Sequence, residues 1–152
     1  MILISHRGNI NGKNTQKENH PSYIDEAIEA GYNVEIDVWC LGGRLFLGHD
    51  SGDYIVDINW LENRSSKLWI HCKNYEAVEY FKDRDSWGDD LNYFWHQNDD
   101  LTLTSKNIVW AYPGKQPIKH SIAVLPEIHN DDLTHCIGIC SDVIENYKDE
   151  SK

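Results

Sequence analysis

Short apolar runs with polar residues at their ends recur along the whole chain. Each run has the length of a β-strand and is rich in β-branched or aromatic residues. The runs lie at residues 1–4, 33–39, 44–48, 67–72, 92–95, 107–112, 121–125 and 136–140. The pattern therefore predicts a strand at each of these positions.

Two amphipathic helices are predicted between the strands. The first covers residues 20–32, where Pro21 suits the first turn and Gly31 suits the C-terminal cap. The second covers residues 74–85, with Asn74 as its N-terminal cap. Shorter helical pieces are predicted at 57–63 and 142–149.

The order of these elements favours a parallel sheet in the first half of the chain. Strand, helix, strand and helix in succession imply right-handed βαβ units. From Asn92 to Cys140, about four strands follow one another with little room for full helices. If the sheet closes into a barrel, we therefore expect its outer helical layer to be incomplete.

The chain is acidic enough to restrict its partners. Its 152 residues suit a single domain over residues 1–152, and 25 acidic against 14 basic residues give a net charge of −11. This charge argues against a surface for nucleic acid or anionic membranes. An anionic substrate would need a bound metal or a local Arg/Lys pocket.

The sequence shows neither a targeting segment nor a cysteine pattern typical of disulfides or zinc sites. The start has no basic leader followed by a long apolar run, and no segment approaches membrane-spanning length, so cytoplasmic residence is expected. The four cysteines lack CxxC spacing. Buried free thiols are therefore favoured over a disulfide or a zinc site.

Polar residues collect where the predicted strands end. They include His6 and Arg7, His71 and Lys73, His96, Glu127 and Asp142. Ligands of parallel α/β proteins bind at the carboxyl ends of the strands, because loops and unpaired polar groups converge there. We therefore expect several of these side chains to meet in space.

Two carboxylates share one face of the second strand. Glu35 and Asp37 are two residues apart, so their side chains point in the same direction while Val34, Ile36 and Val38 point in the other. Two adjacent buried carboxylates favour a hard divalent cation such as Mg²⁺ or Ca²⁺ between them. The alternative is an edge strand with a solvated polar face.

Four motifs stand in a fixed order over residues 4–50: HRG at 6–8, EN at 18–19, EID at 35–37 and HD at 49–50. In this order and at these separations they resemble the glycerophosphodiester phosphodiesterase family. The resemblance covers a third of the chain and implies a TIM-type barrel. The expected fold class is therefore α/β, a reduced or distorted (β/α) TIM-type barrel with an incomplete outer helical layer.

The resemblance also implies roles for individual residues. His6 and His49 would act as general acid and base, and Arg7 and Lys73 would bind the phosphate. Glu35 and Asp37 would bind one divalent cation, with Mg²⁺ favoured and Ca²⁺ or Mn²⁺ as alternatives. Further residues are candidates for the same site: Glu18 as a partner of Arg7, Asp50 beside His49, and His96 or Glu127 in the metal shell.

His71 departs from the family pattern, which has a third carboxylate at this position. It shares a strand face with Lys73, so it is expected to face the same pocket as Glu35 and Asp37. It could bind the cation directly, which would favour Mn²⁺ or Zn²⁺, or donate a hydrogen bond to a metal-bound water or to the phosphate. Other departures are the short chain, against about 250 residues for a usual TIM barrel, and a missing proline before Glu18.

The sequence thus predicts a metal-dependent phosphodiesterase. Its substrate would be a small phosphodiester, or one linked to a glycan or a lipid headgroup, of the glycerophosphodiester type. The alternative is a catalytically silent module that binds a phosphodiester or another anion. The substrate's leaving group and the oligomeric state stay open.

Overall fold

A computed structural model describes residues 1–85, 88 and 90–151 of the chain. Within these residues ten strands are found: β1 (Ile2–His6), β2 (Asn33–Leu41), β3 (Arg44–Leu47), β4 (Tyr54–Val56), β5 (Leu68–Cys72), β6 (Asn92–Trp95), β7 (Leu101–Leu103), β8 (Val109–Ala111), β9 (Ser121–Val124) and β10 (Gly138–Ser141). The same residues form three α-helices: α1 (Pro21–Glu29), α2 (Ile58–Glu62) and α3 (Tyr75–Asp85). Single 3₁₀ turns lie at Pro126–Ile128, Ile144–Tyr147 and Asp149–Ser151.

Most of the predicted elements are confirmed. Each of the eight apolar runs contains a strand, and α1, α2 and α3 lie where helices were expected. The segment 142–149 forms 3₁₀ turns instead of an α-helix. The sequence pattern missed β4 and β7, because each has only three residues and carries exposed apolar side chains.

Seven strands run parallel to one another in the order β6, β5, β2, β1, β10, β9 and β8 within the described residues. Their register aligns the chemically active positions, since His6 pairs with Glu35 and Asp37 pairs with His71. β3, β4 and β7 add to this row as antiparallel neighbours. The parallel strands therefore bring all their carboxyl ends to one edge of the sheet.

The predicted (β/α) TIM-type barrel is wrong. The described residues form a strand-rich, mixed sheet curled into a half-barrel, with only the three short α-helices. The connections in the second half of the chain explain the difference. β8 ends at Ala111 and β9 begins at Ser121, and the β9–β10 connection holds one 3₁₀ turn, so these strands receive no helical cover of the TIM-barrel kind.

The two faces of the curled sheet are packed differently. The outer face of β2 and β5 presents Val34, Ile36 and Ile70, which form a core with α1, α2 and α3. The inner face carries a second cluster of Ile4, Trp69, Phe94, Trp110, Ile122 and Cys140. On β1, β2 and β5 the inner face continues toward the carboxyl ends with His6, Glu35, Asp37 and His71. The apolar inner cluster thus forms the floor below these polar residues.

Neither a disulfide nor a membrane-spanning helix occurs in the described part of the chain. All four cysteines are free thiols, as predicted, and Cys40, Cys72 and Cys140 are buried while Cys136 is partly exposed. None of the described helices combines the length and the apolar character needed to cross a membrane.

Candidate functional site

The carboxyl ends of the parallel strands surround a cavity of about 440 Å³. Five of the six residues assigned to catalysis, phosphate binding or metal binding line it: His6, Arg7, Glu35, His49 and Lys73. Asp37, the sixth, is fully buried behind them. His71 and His96, which were additional candidates, line the cavity as well.

Asp37 lies at the centre of a buried charged cluster. Its Oδ2 is 3.1 Å from Arg7 Nε, and its Oδ1 is 3.1 Å from His71 Nδ1 and 3.9 Å from Lys73 Nζ. Burial opposes ionisation of this carboxyl, but the approach of His71 and the charges of Arg7 and Lys73 outweigh it and lower the pKa of Asp37. The Asp37 carboxylate therefore contacts both predicted phosphate-binding cations.

Asn19 holds Asp37 in place from the opposite side. The Asn19 side chain donates from Nδ2 to Asp37 Oδ2 and accepts from the Asp37 backbone N–H, both at 2.9 Å. Asn19 is fully buried and has a left-handed backbone with φ of 64°. Asparagine tolerates this conformation better than most residues. Asn19 therefore suits the left-handed turn and also binds the Asp37 carboxylate.

Asn19→Ala is expected to lower the free energy of unfolding by about 3 kcal/mol, because it removes two buried hydrogen bonds and places alanine in the left-handed region. Asn19→Gly removes the same hydrogen bonds but accepts the backbone conformation, so its loss should be about 1 kcal/mol smaller. Urea unfolding of the two variants measures the difference. Equal stability of wild type and Asn19→Ala would contradict this role.

Glu35 differs from Asp37 in its surroundings. It is 2% exposed, and its Oε2 accepts no hydrogen bond from the described residues. Burial first, and the charge of Asp37 second, raise the pKa of Glu35. A buried carboxylate oxygen without a partner is costly unless a ligand satisfies it, and this oxygen therefore points to a cation or a proton donor that binds here.

His6 is oriented by a carboxylate that the sequence did not assign to the site. His6 Nδ1 donates to Asp142 Oδ1 at 2.7 Å, which leaves Nε2 free, 3.7 Å from Glu35 Oε2. Burial opposes protonation of His6, but the bond to Asp142 and the charge of Glu35 raise its pKa. The same bond lowers the pKa of Asp142 against the effect of burial. Nε2 can therefore accept or deliver a proton in the cavity.

The HRG motif turns the chain so that neighbouring side chains both reach the site. Arg7 has a left-handed backbone with φ of 57°, and Gly8 follows with φ of 95°. A Cβ on Gly8 would lie 2.5 Å from the Tyr23 ring, so glycine is required there. Arg7 also donates from a terminal guanidinium nitrogen to Glu18 Oε2 at 3.2 Å, the partnership that the sequence suggested for Glu18.

His49 follows β3 on a tightly folded loop. A Cβ on Gly48 would lie 1.9 Å from the Ser51 carbonyl oxygen, and the Gly48 N–H donates to the Asp37 carbonyl, so the loop is tied to β2. His49 Nδ1 lies 2.7 Å from Asp50 Oδ1, and the His49 side chain is 43% exposed. Asp50 therefore orients His49 at the mouth of the cavity and is itself in solvent.

His71 and His96 extend the site along β5 and β6. His71 stacks on Phe94 with ring centroids 5.2 Å apart, and its Nε2 donates to the His96 carbonyl oxygen at 2.8 Å. The His96 ring packs on Tyr112 at 4.6 Å, and neither of its buried ring nitrogens bonds within the described residues. Burial, followed by the charge of His71, lowers the pKa of His96.

Aromatic side chains form the far wall of the cavity. Trp95 and Tyr112 are 37% and 40% exposed and line the cavity, while Trp110 lines it and is almost fully buried in the inner cluster. Trp110 is therefore part of the inner cluster, whereas Trp95 and Tyr112 present apolar surface beside the polar groups.

Glu127 is occupied by other contacts. Its carboxylate accepts hydrogen bonds from the Ser141 hydroxyl at 2.8 Å and from the Tyr147 hydroxyl at 3.2 Å. These bonds tie the turn after β9 to the end of β10 and to the 3₁₀ turn that follows. Glu127 therefore acts as a structural link in this conformation, although it was a candidate for the metal shell.

Three polar residues of the site were not among the predicted site residues: Asn9, Asn19 and Asp142. Asn9 is fully buried and donates to Asp142 Oδ1 at 2.8 Å. The sequence placed Asp142 among the polar strand ends and Asn19 in the EN motif, but it assigned neither of them a role in the site. Asn9 lies in a long polar segment without periodicity, so no sequence signal marked it.

No protein-family model, curated protein or solved structure matches this chain. The resemblance to the phosphodiesterase family therefore rests on the motifs themselves.

The donor atoms present fit a divalent cation. Within the described residues, Glu35, Asp37 and His71 offer one ligand atom each, and these atoms lie within 4.8 Å of one another. Glu35 Oε2 and Asp37 Oδ1 are buried and accept no hydrogen bond from the described residues, which is an independent sign of a missing ligand. Two carboxylates and one imidazole are common ligands of divalent metals.

Proposed function

We propose that this protein is a metal-dependent phosphodiesterase of the glycerophosphodiester type. The observation that carries the proposal is one cavity lined by His6 and His49, two cations and a buried carboxylate, Glu35, whose Oε2 accepts no hydrogen bond from the described residues. The four motifs of residues 4–50 support it although they are separated along the chain. Three of them supply residues that line this cavity, and the EN motif contacts Arg7 and Asp37 behind it.

Arg7 and Lys73 bind the phosphate group in this proposal. Both side chains line the cavity and contact Asp37, Arg7 through Nε and Lys73 through Nζ. The guanidinium of Arg7 can hold two phosphate oxygens at once, whereas Lys73 acts as a point charge. Local positive charge of this kind lets an anion enter a chain with a net charge of −11.

Glu35 and Asp37 hold the divalent cation, for which the sequence favours Mg²⁺. A divalent cation held there would neutralise charge on the phosphoryl group and would lower the pKa of a hydroxyl beside it. Glu35 Oε2 and Asp37 Oδ1 are both buried without a hydrogen bond from the described residues, and Asn19 fixes the orientation of the Asp37 carboxylate.

His6 and His49 transfer protons in the reaction. A P–O bond forms to the oxygen of a water or of a neighbouring substrate hydroxyl, and one histidine takes its proton. The P–O bond to the leaving alcohol breaks, and the other histidine delivers a proton to that oxygen. Each imidazole is oriented at Nδ1 by an aspartate, which leaves Nε2 for the reacting atoms.

The substrate is a small phosphodiester, or the exposed phosphodiester of a glycan or a lipid headgroup. A cavity of about 440 Å³ suits a small ligand. Nucleic acid is disfavoured because its backbone charge would be repelled by the acidic chain. Cytoplasmic residence stays a prediction from the sequence, which fractionation of producing cells would test.

The test is release of p-nitrophenol from bis(p-nitrophenyl) phosphate and of choline from glycerophosphocholine. We expect turnover with added Mg²⁺ or Mn²⁺ and its loss with a chelator. Absence of turnover with Mg²⁺, Ca²⁺, Mn²⁺ and Zn²⁺ would contradict the proposal. If glycerophosphocholine then still binds in calorimetry, the silent binding module is the correct function.

A further inference from the structure

We propose that His71 binds the divalent cation directly through Nδ1, as a third protein ligand beside Glu35 and Asp37. This nitrogen makes the site prefer Mn²⁺ or Zn²⁺ to Mg²⁺ and Ca²⁺. The inference deepens the proposed function and rests on its metal site, but it concerns which atoms hold the ion and which ion they select.

The hydrogen bond at Nε2 determines which His71 nitrogen is available. Nε2 lies 2.8 Å from the His96 carbonyl oxygen, and a carbonyl oxygen only accepts hydrogen bonds. Nε2 therefore carries a proton. A cation bound between Nδ1 and the two carboxylates of β2 would take the Nδ1 lone pair, in place of the proton through which His71 approaches Asp37 when no metal is bound.

The ring is held in this orientation from two directions. Phe94 stacks on it at an angle of 13° between the ring planes, and the His96 carbonyl anchors its far edge. Metal-binding histidines commonly donate their second N–H to a backbone carbonyl, which fixes both the tautomer and the ring orientation. His71 therefore has the supporting contacts of a metal ligand.

The distances match a coordination sphere. His71 Nδ1 is 3.1 Å from Asp37 Oδ1 and 3.8 Å from Glu35 Oε1. Ligands bound at about 2.1 Å lie about 3.0 Å apart in neighbouring octahedral positions and about 3.4 Å apart in a tetrahedron. Side-chain movements of less than about 1 Å would close the set around one ion.

A competing explanation makes His71 a protonated counter-ion of Asp37. Asp37 already contacts Arg7 and Lys73 and accepts a hydrogen bond from Asn19. A further cation is therefore not needed to balance this carboxylate. The counter-ion explanation also leaves Glu35 Oε2 buried without a hydrogen bond from any described residue, whereas a cation held by both Glu35 oxygens, with Oε1 toward His71, accounts for it.

The donor set predicts the ion that is preferred. Mg²⁺ and Ca²⁺ favour oxygen ligands, whereas imidazole nitrogen suits the transition metals and zinc. Because the site offers one nitrogen and two carboxylates, we expect it to bind Mn²⁺ and Zn²⁺ at least about tenfold more tightly than Mg²⁺.

Calorimetry with each metal alone, without substrate, tests the preference. His71→Ala should weaken Mn²⁺ binding by at least about tenfold. His71→Glu should restore an all-oxygen set and shift the preference back toward Mg²⁺ by a similar factor. The matched control is His135→Gln, because His135 is an exposed imidazole on the β9–β10 connection.

Electron paramagnetic resonance provides a second readout. It is measured first on the Mn²⁺-loaded wild type, so it does not depend on whether a variant folds. Coupling of Mn²⁺ to a ¹⁴N nucleus is expected, and His71→Glu should lose it while His135→Gln retains it. Bound Mn²⁺ without nitrogen coupling, or unchanged affinity in His71→Ala, would overturn the inference. Nitrogen coupling in a protein that cleaves no phosphodiester would support the inference and defeat only the proposed function.

Discussion

Glu35→Gln is expected to reduce metal-dependent phosphodiester cleavage by more than about 100-fold, because it removes a charged ligand of the cation. Its melting temperature should stay the same or rise. Glu35 is 2% exposed, and its Oε2 lacks a hydrogen-bond partner among the described residues, so folding of the metal-free chain buries this carboxyl at a cost. Steady-state assays and thermal unfolding without metal measure the two effects.

Asp37→Asn is the matched comparison. It should also lose activity, but it leaves Arg7 and Lys73 without their shared buried anion and should cost about 3–5 kcal/mol of stability. The sequence gives the two neighbouring carboxylates the same role. The Glu35→Gln and Asp37→Asn variants are nevertheless expected to differ in their free energy of unfolding, although both should lose activity. A Glu35→Gln variant that keeps full turnover would show that Glu35 is not a metal ligand.

His6→Gln is expected to lower kcat by about 10²- to 10⁴-fold, because the variant has no group that exchanges a proton near neutral pH. Asp142 fixes the His6 ring with Nε2 free in the cavity, so the missing group is the proton-transfer group itself. The kcat and KM of the variant on bis(p-nitrophenyl) phosphate at saturating Mn²⁺ measure the effect.

The His6→Gln and Glu35→Gln variants are expected to differ in their affinity for the metal ion. Calorimetry should give the same Mn²⁺ affinity for His6→Gln as for wild type within about threefold, since His6 is not a proposed ligand. His135→Gln serves as the control for loss of an imidazole outside the site. More than a tenth of wild-type kcat in His6→Gln would rule out general acid or base catalysis by His6.

The sequence predicted most of the site because its signals are local. Alternation along β2 put Glu35 and Asp37 on one face, and strand ends marked His6, His71 and Lys73. The hydrogen-bond partners that orient these residues are distant in the sequence. Asp142 is 136 positions from His6, and Asn19 is 18 positions from Asp37. No periodicity connects such pairs, so sequence analysis could not assign the hydrogen bonds that orient the site.

The fold was predicted less well than its elements. Strand positions follow from short apolar runs, and parallel pairing of the first strands follows from α1 and α3 between them. The antiparallel neighbours β4 and β7 are three residues long, and nothing in their composition reveals their direction. The motif resemblance suggested a helix-covered barrel, but the short connections after β6 produce a mixed, curled sheet instead.

The pairing of β1 with β10 sets when the site can form during synthesis. Ile2 pairs with Gly138 and Ser5 with Ser141, so one edge of β1 has no neighbouring strand until β10 has been synthesised. Until then, His6 lacks the hydrogen bond to Asp142, and the nascent chain should have no phosphodiesterase activity. A message truncated before β10 should yield a protein with an open strand edge, which the cell's proteases and chaperones recognise.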